Sequence, residues 1–185
     1  TSYTINKEQG LEAKYSLASV NQTQFCIGTG KANAKCILMI DGTKVSKISE
    51  EWLDRILNEN EISNTRAWTY SKNNHSFYLF TIGNETYCYD IMTGEWHIRS
   101  SRNFYTSKNK PYMPLYAVWF NNKIITGCCE NGNLYILDDN YYREDFNDKD
   151  SLPLYRVRQT PVITANYRPF TIFELSLECN AGNME

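Results

Sequence analysis

Two histidines, His75 and His97, are the only candidates for a general base near neutral pH in this 185-residue chain. His75 stands beside Ser76 in a polar stretch, and His97 follows Trp96 in a run that also carries Arg99. A serine nucleophile would need one of them buried next to it, and no Gly-x-Ser-x-Gly elbow is present. Carboxylates gather at Asp138, Asp139, Glu144, Asp145, Asp148 and Asp150. Glycoside hydrolysis uses two opposed carboxyl groups, but six acids in one Asn- and Tyr-rich stretch read more simply as a solvated loop. The six cysteines, Cys26, Cys36, Cys88, Cys128, Cys129 and Cys179, lie mostly in apolar runs without Cys-x-x-Cys spacing. They read as small buried hydrophobes in a reducing compartment, and the adjacent Cys128 and Cys129 must point to opposite faces of a strand. No phosphate loop, EF-hand or other metal spacing occurs. The sequence therefore predicts no catalytic set, no cofactor site and no metal site.

Binding chemistry is better represented. Arg99, Arg102, Lys108 and Lys110 fall close together with Phe104, Tyr105 and Tyr112 interleaved, the composition of a surface that holds a protein or nucleic-acid partner. These seven residues are the candidate interaction surface, with Arg156, Arg158 and Arg168 a weaker group of the same kind. A formal net charge of −2 without blocks of like charge excludes bulk electrostatic attraction to nucleic acid or membrane. No apolar run approaches the ~20 residues that cross a bilayer, and the N-terminus lacks a signal-peptide pattern, so no membrane association is expected.

The elements that must position these residues repeat. Three segments share the order strand, turn, strand, Asp-containing turn: Phe25 to Asp41, Phe77 to Asp90, and Ile124 to Asp138. Their closing aspartates stand 49 and 48 residues apart. That period, with 14% aromatic residues, predicts a mainly β protein, a partial β-propeller of antiparallel four-stranded blades. The runs Cys36 to Ile40 and Phe77 to Ile82 are apolar on both faces, as a sheet covered on both sides requires. An antiparallel sandwich with evenly spaced hairpins is the alternative. Asn131-Gly132 predicts a two-residue hairpin. One short helix is predicted over 50–58, capped by Ser49, with Trp52, Leu53, Ile56 and Leu57 on its apolar face.

Residues 1–150 thus comprise three blades with the helix inserted. Residues 102–114 form a long polar loop, and 138–150 wrap the outside of a blade. Residues 151–185 add strands that complete a blade or close a sheet: Leu154 to Arg158, then Thr171 to Glu178, where Phe173, Leu175 and Leu177 alternate with Glu174, Ser176 and Glu178. Three blades do not close a ring, so the chain reads as a fragment of a longer protein.

With Thr69-Tyr70, His75-Ser76-Phe77-Tyr78-Leu79 and Thr86-Tyr87-Cys88-Tyr89-Asp90-Ile91-Met92-Thr93-Gly94-Glu95-Trp96-His97-Ile98-Arg99-Ser100-Ser101 in this order, the sequence resembles the packaged-DNA stabilisation proteins of short-tailed bacteriophages. Lys14 to Ala18, Phe25 to Gly28, Lys47-Ile48-Ser49, Gly127 to Asp138, Arg156 to Pro161 and Phe173 to Glu178 extend the resemblance over nearly the whole chain. It departs at Asn74, where Gly is usual, and at Asn180-Ala181-Gly182. The resemblance implies a tail-accessory, head-to-tail connector component of the virion, made in the host cytoplasm, without catalytic residues. It implies a ring of copies that helps retain packaged DNA and contacts a portal or adaptor ring and tail needle or fibre components; DNA contact itself is not predicted. A kelch-like protein-binding module and a glycan-active propeller enzyme are the competing readings.

Overall fold

The computed structural model describes residues 10–30, 33–106, 108–128, 130–145, 151–159, 169, 171–174 and 176. The chain divides into two compact units, Thr1–Leu154 and Tyr155–Glu185, a boundary four residues beyond the expected one.

The first unit holds three successive antiparallel sheets. Sheet one comprises β1 (Gly10–Leu11), β2 (Ala18–Val20), β3 (Thr23–Thr29), β4 (Lys35–Asp41) and β5 (Lys44–Lys47). Sheet two comprises β6 (Ala67–Lys72), β7 (His75–Ile82), β8 (Glu85–Asp90), β9 (Glu95–Arg102) and β10 (Asn109–Pro111). Sheet three has β11 (Pro114–Phe120), β12 (Lys123–Cys128) and β13 (Leu134–Ile136), and a hairpin of β14 (Arg143–Asp145) and β15 (Ser151–Pro153) follows. The described residues are mainly β with one helix among them, α1 (Glu51–Glu59), consistent with a partial β-propeller.

Asparagine sets the registers. The first turn of each sheet has two central residues, Asn21-Gln22, Asn73-Asn74 and Asn121-Asn122, between the paired ends Val20↔Thr23, Lys72↔His75 and Phe120↔Lys123. Both asparagines of the second and third turns have positive φ, 52° and 64°, then 47° and 60°. Two left-handed residues match the twist of a hairpin, and Asn tolerates that conformation better than other non-glycine residues. The Gly83-Asn84 turn between β7 and β8 is also two residues long. Asn131-Gly132 is not such a turn: β12 and β13 separate at Cys128 and Asn133, and Asn131 Oδ1 instead accepts the Asn133 amide at 3.0 Å.

Period-two alternation then deals side chains to two faces. Phe25, Ile27 and Ile37 of sheet one meet Tyr78, Phe80, Tyr87 and Tyr89 of sheet two in the main core, together with Leu53 and Leu57 of α1. Phe25 stacks on Tyr78 with centroids 5.3 Å apart, and the Tyr78 hydroxyl donates to Ser16 O at 2.9 Å. Trp68, Leu79 and Cys88 on the other face of sheet two pack with Tyr112 and Ala117. Sheet two is therefore buried on both faces, and the innermost strands β2, β6 and β11 follow one another in contact.

The helix forms where the sequence predicts it, one residue later. Its cap differs: Glu50 occupies the N-cap without a side-chain capping bond, its carboxylate instead accepting from Trp52 Nε1 at 2.9 Å. Ser49 Oγ is engaged elsewhere, accepting the Ile37 amide at 3.0 Å and donating to Asp54. Residues 102–114 are also more ordered than a long loop, because β10 returns along β9 with Lys110 opposite Ser101. Residues 154–159 and 171–174 lie in no strand, so the strands expected there are not among the described elements; 175 and 177–178, like Cys129, Arg168, Cys179 and 180–182, fall outside the described residues.

Candidate interaction surface

The seven residues singled out from sequence are divided by the fold into an inward and an outward group. Arg99 lies on β9, facing the third sheet. Its guanidinium carbon stands 4.8 Å from the Phe77 ring centroid, 5.4 Å from Tyr70 and 5.9 Å from Tyr112. Nε donates to His97 Nε2 at 3.1 Å, and Nη1 donates to the Tyr70 hydroxyl. A cation among three rings is a packing device that holds the connection between sheets two and three. Tyr112 belongs to the same cluster, and its amide donates to Thr86 Oγ1 at 3.2 Å. The Lys110 ammonium is paired with Glu130 at 2.7 Å, and the Arg102 amide donates to Glu144 Oε2 at 3.1 Å. Tyr105 and Lys108 point outward; Tyr105 is 89% exposed and meets Phe104 edge to face at 5.5 Å. Asn103 Oδ1, accepting the amides of Tyr105 and Thr106, fixes that tip.

Both histidines are hydrogen-bonded within sheet two. His75 Nδ1 lies 2.7 Å from Asp90 Oδ2, while Asp90 Oδ1 accepts the Met92 amide. Burial alone would raise the Asp90 pKa, but the bonds from His75 and the turn amides outweigh it and hold the carboxyl below its ordinary range. The pair thus braces the turn into β9. His97 is held below the ordinary histidine pKa by burial and then by the adjacent Arg99 cation, which suits an imidazole that accepts a hydrogen bond. Cys26, Cys36, Cys88 and Cys128 are free. Burial pushes the Cys26 thiol to about 11 and Cys88 to about 12, far from thiolate reactivity.

A surface absent from the sequence-based candidates lies on sheet three. Tyr116, Val118 and Phe120 of β11 and Leu134 and Ile136 of β13 share one face through their pairings with Gly127, Ile125 and Lys123. All five are exposed, between 48% and 73%. A contiguous apolar face of this kind marks a contact surface. The strand alternation was the available signal, but only sheet order shows which face is left uncovered.

Three successive sheets, histidines bonded within sheet two and an exposed apolar face on sheet three frame the comparison with known proteins. Residues 1–142 match the phage-stabilisation family model, described as Bacteriophage P22 Gp10, beta-propeller. The chain belongs to this family. No curated protein matches the sequence. The phage-stabilisation family is one of phage structural proteins; in this member Arg99 and Tyr112 lie within the blade stack, and Tyr105, Lys108 and the open face of sheet three are exposed.

Proposed function

We propose that this phage-stabilisation protein is a tail or head-to-tail connector subunit that helps retain packaged DNA and docks further tail parts, acting as a homo-oligomeric ring in the virion. Membership of the family over residues 1–142 carries the reading. The open face of sheet three supports it, since a virion protein that works by adhesion needs apolar area that its own fold leaves uncovered. Its occupant in this reading is another virion protein. Tyr105, with Lys108 beside it, supplies an aromatic anchor of the type concentrated in interfaces.

Particles packaged without the protein test this. Expected are DNA-filled heads that lose their genome on mild heating and recover when the protein is added back, with added density below the portal in negative-stain images. Heads that retain DNA equally well without it, together with a protein that stays monomeric in the presence of portal and tail components, overturn the reading.

A further inference from the structure

The connection between β12 and β13 holds Asn131-Gly132, the only Asn-Gly pair in the sequence. Unlike Asn73-Asn74 and Asn121-Asn122, this pair is not locked in a two-residue hairpin turn. An asparagine followed by glycine is open to a reaction within its own backbone. The next amide nitrogen attacks the side-chain carbonyl carbon, and glycine puts no Cβ in the way of that close approach. Gly132 is exposed, and a Cβ built on it would meet nothing within 4 Å. Among the described residues its amide donates to no acceptor, so the nitrogen is not committed to the fold.

The groups around Asn131 fit the steps of that reaction. The Asn133 amide donates to Asn131 Oδ1 at 3.0 Å. This bond turns the side chain forward along the chain, over the Gly132 peptide, and sets a donor on the oxygen that takes negative charge when Cγ is attacked. Nδ2, the leaving nitrogen, donates to the Tyr135 hydroxyl at 3.3 Å. A phenol can turn its own O–H to that nitrogen as it departs and supply the proton it needs. Asn73 shows the contrast: its Nδ2 donates to the Asp139 carboxylate at 2.7 Å, which has no proton to give, and the residue after it is Asn74 rather than glycine.

We propose that Asn131 is a self-modifying residue, converted into an acid through a cyclic imide formed with Gly132. The bond from Gly132 N to Asn131 Cγ forms as the amide proton passes to solvent. The Cγ–Nδ2 bond breaks as Tyr135 protonates Nδ2, which leaves as ammonia, and solvent reprotonates the phenolate. Water then adds to either imide carbonyl and opens the ring to an aspartyl or an isoaspartyl residue. The steps need no oxidant and no co-reactant besides water. The product adds one negative charge to the formal −2 of the chain. The new carboxylate stands next to Glu130, whose own carboxylate holds Lys110 of β10 at 2.7 Å. The charge at this tie between sheets two and three therefore changes with the age of the protein. The inference is independent of the virion role.

The test holds the full-length folded protein at mildly alkaline pH for days, beside a synthetic peptide of sequence 130–137, and follows both by peptide mass spectrometry. Expected at position 131 are the mass gain of an amide-to-acid change and isoaspartate, formed several-fold faster in the folded chain than in the peptide, with Asn73 and Asn121 intact. Gly132→Ala, which the open space accommodates, is expected to slow the conversion about tenfold or more at the parent's urea midpoint. Tyr135→Phe keeps the ring, removes the proton donor and is expected to bring the rate down to that of the peptide. An Asn131 that stays intact, a conversion no faster in the folded chain than in the peptide, or a folded Tyr135→Phe as fast as the parent overturns the proposal. The comparison of parent with peptide needs no variant, so it decides the matter even where a variant unfolds.

Discussion

The outer faces of sheets two and three occupy the same register and meet different fates. Aligned on Asp90 and Asp138, Trp68, Leu79 and Cys88 correspond to Val118, Ile125 and Ile136, because the strand pairings Trp68↔Leu79↔Cys88 and Val118↔Ile125↔Ile136 coincide. The first trio is 4%, 0% and 0% exposed, whereas Val118 and Ile136 stand at 60% and 51%. Residue type does not separate them, since both trios are apolar. The difference is the next sheet: Ala117 and Tyr112 cover the first face, and no described element buries the second. In a stack of repeats, burial is a property of position along the stack as much as of the side chain.

The largest test of that comparison is a core truncation on the covered face. Leu79→Ala removes a fully buried side chain between Trp68 and Cys88 and is expected to cost about 2–5 kcal/mol in urea unfolding. A loss below ~1 kcal/mol would mean that sheet three does not cover sheet two in solution.

A smaller effect is expected at the clasp that joins the two sheets. Arg99→Ala removes the cation from Phe77, Tyr70 and Tyr112 and leaves the partly buried Tyr70 hydroxyl without its donor, a loss of roughly 1–3 kcal/mol. It also changes the pH response. The folded His97 pKa is depressed below its unfolded value, so its contribution is complete above about pH 6.5 and is lost as pH falls through the folded pKa. Arg99 is the second cause of that depression after burial, so the variant should show a shallower loss of stability between pH 7 and pH 5 than the parent. Equal slopes in the two proteins would detach His97 from the clasp.

The repeat, the doubly apolar middle strands and the helix were legible because each is written in local periodicity: three aspartates at a near-constant interval, and Leu53 and Leu57 one turn apart. The interaction surface was less so. Arg99 and Tyr112 look like loop-side binding residues in sequence, yet the pairing of Thr86 with Arg99 turns the arginine onto the face that sheet three covers. The candidate list also lacked Tyr116, Val118 and Phe120, whose alternation places them on a common face without revealing which neighbour that face meets. Ser49 shows the same limit on a smaller scale. A serine before a helix is a capping residue by pattern, but the Ile37 amide of an adjacent strand has taken its oxygen.

The smallest stability change, and the one that separates folding from contact, lies on the uncovered face. Val118→Ser deletes apolar area that is 60% exposed, and surface substitutions of this kind fall within about 0.5 kcal/mol. The equivalent change on the covered face, at Trp68, empties a buried site and belongs to the class of several kcal/mol. If the uncovered face meets another virion protein, Val118→Ser leaves the urea midpoint near that of the parent while weakening incorporation into particles, read as protein retained per virion after purification. A midpoint that falls as far as it does for Leu79→Ala would show instead that the face is already buried within the folded chain, and the two sheets would then differ in nothing but their place in the sequence.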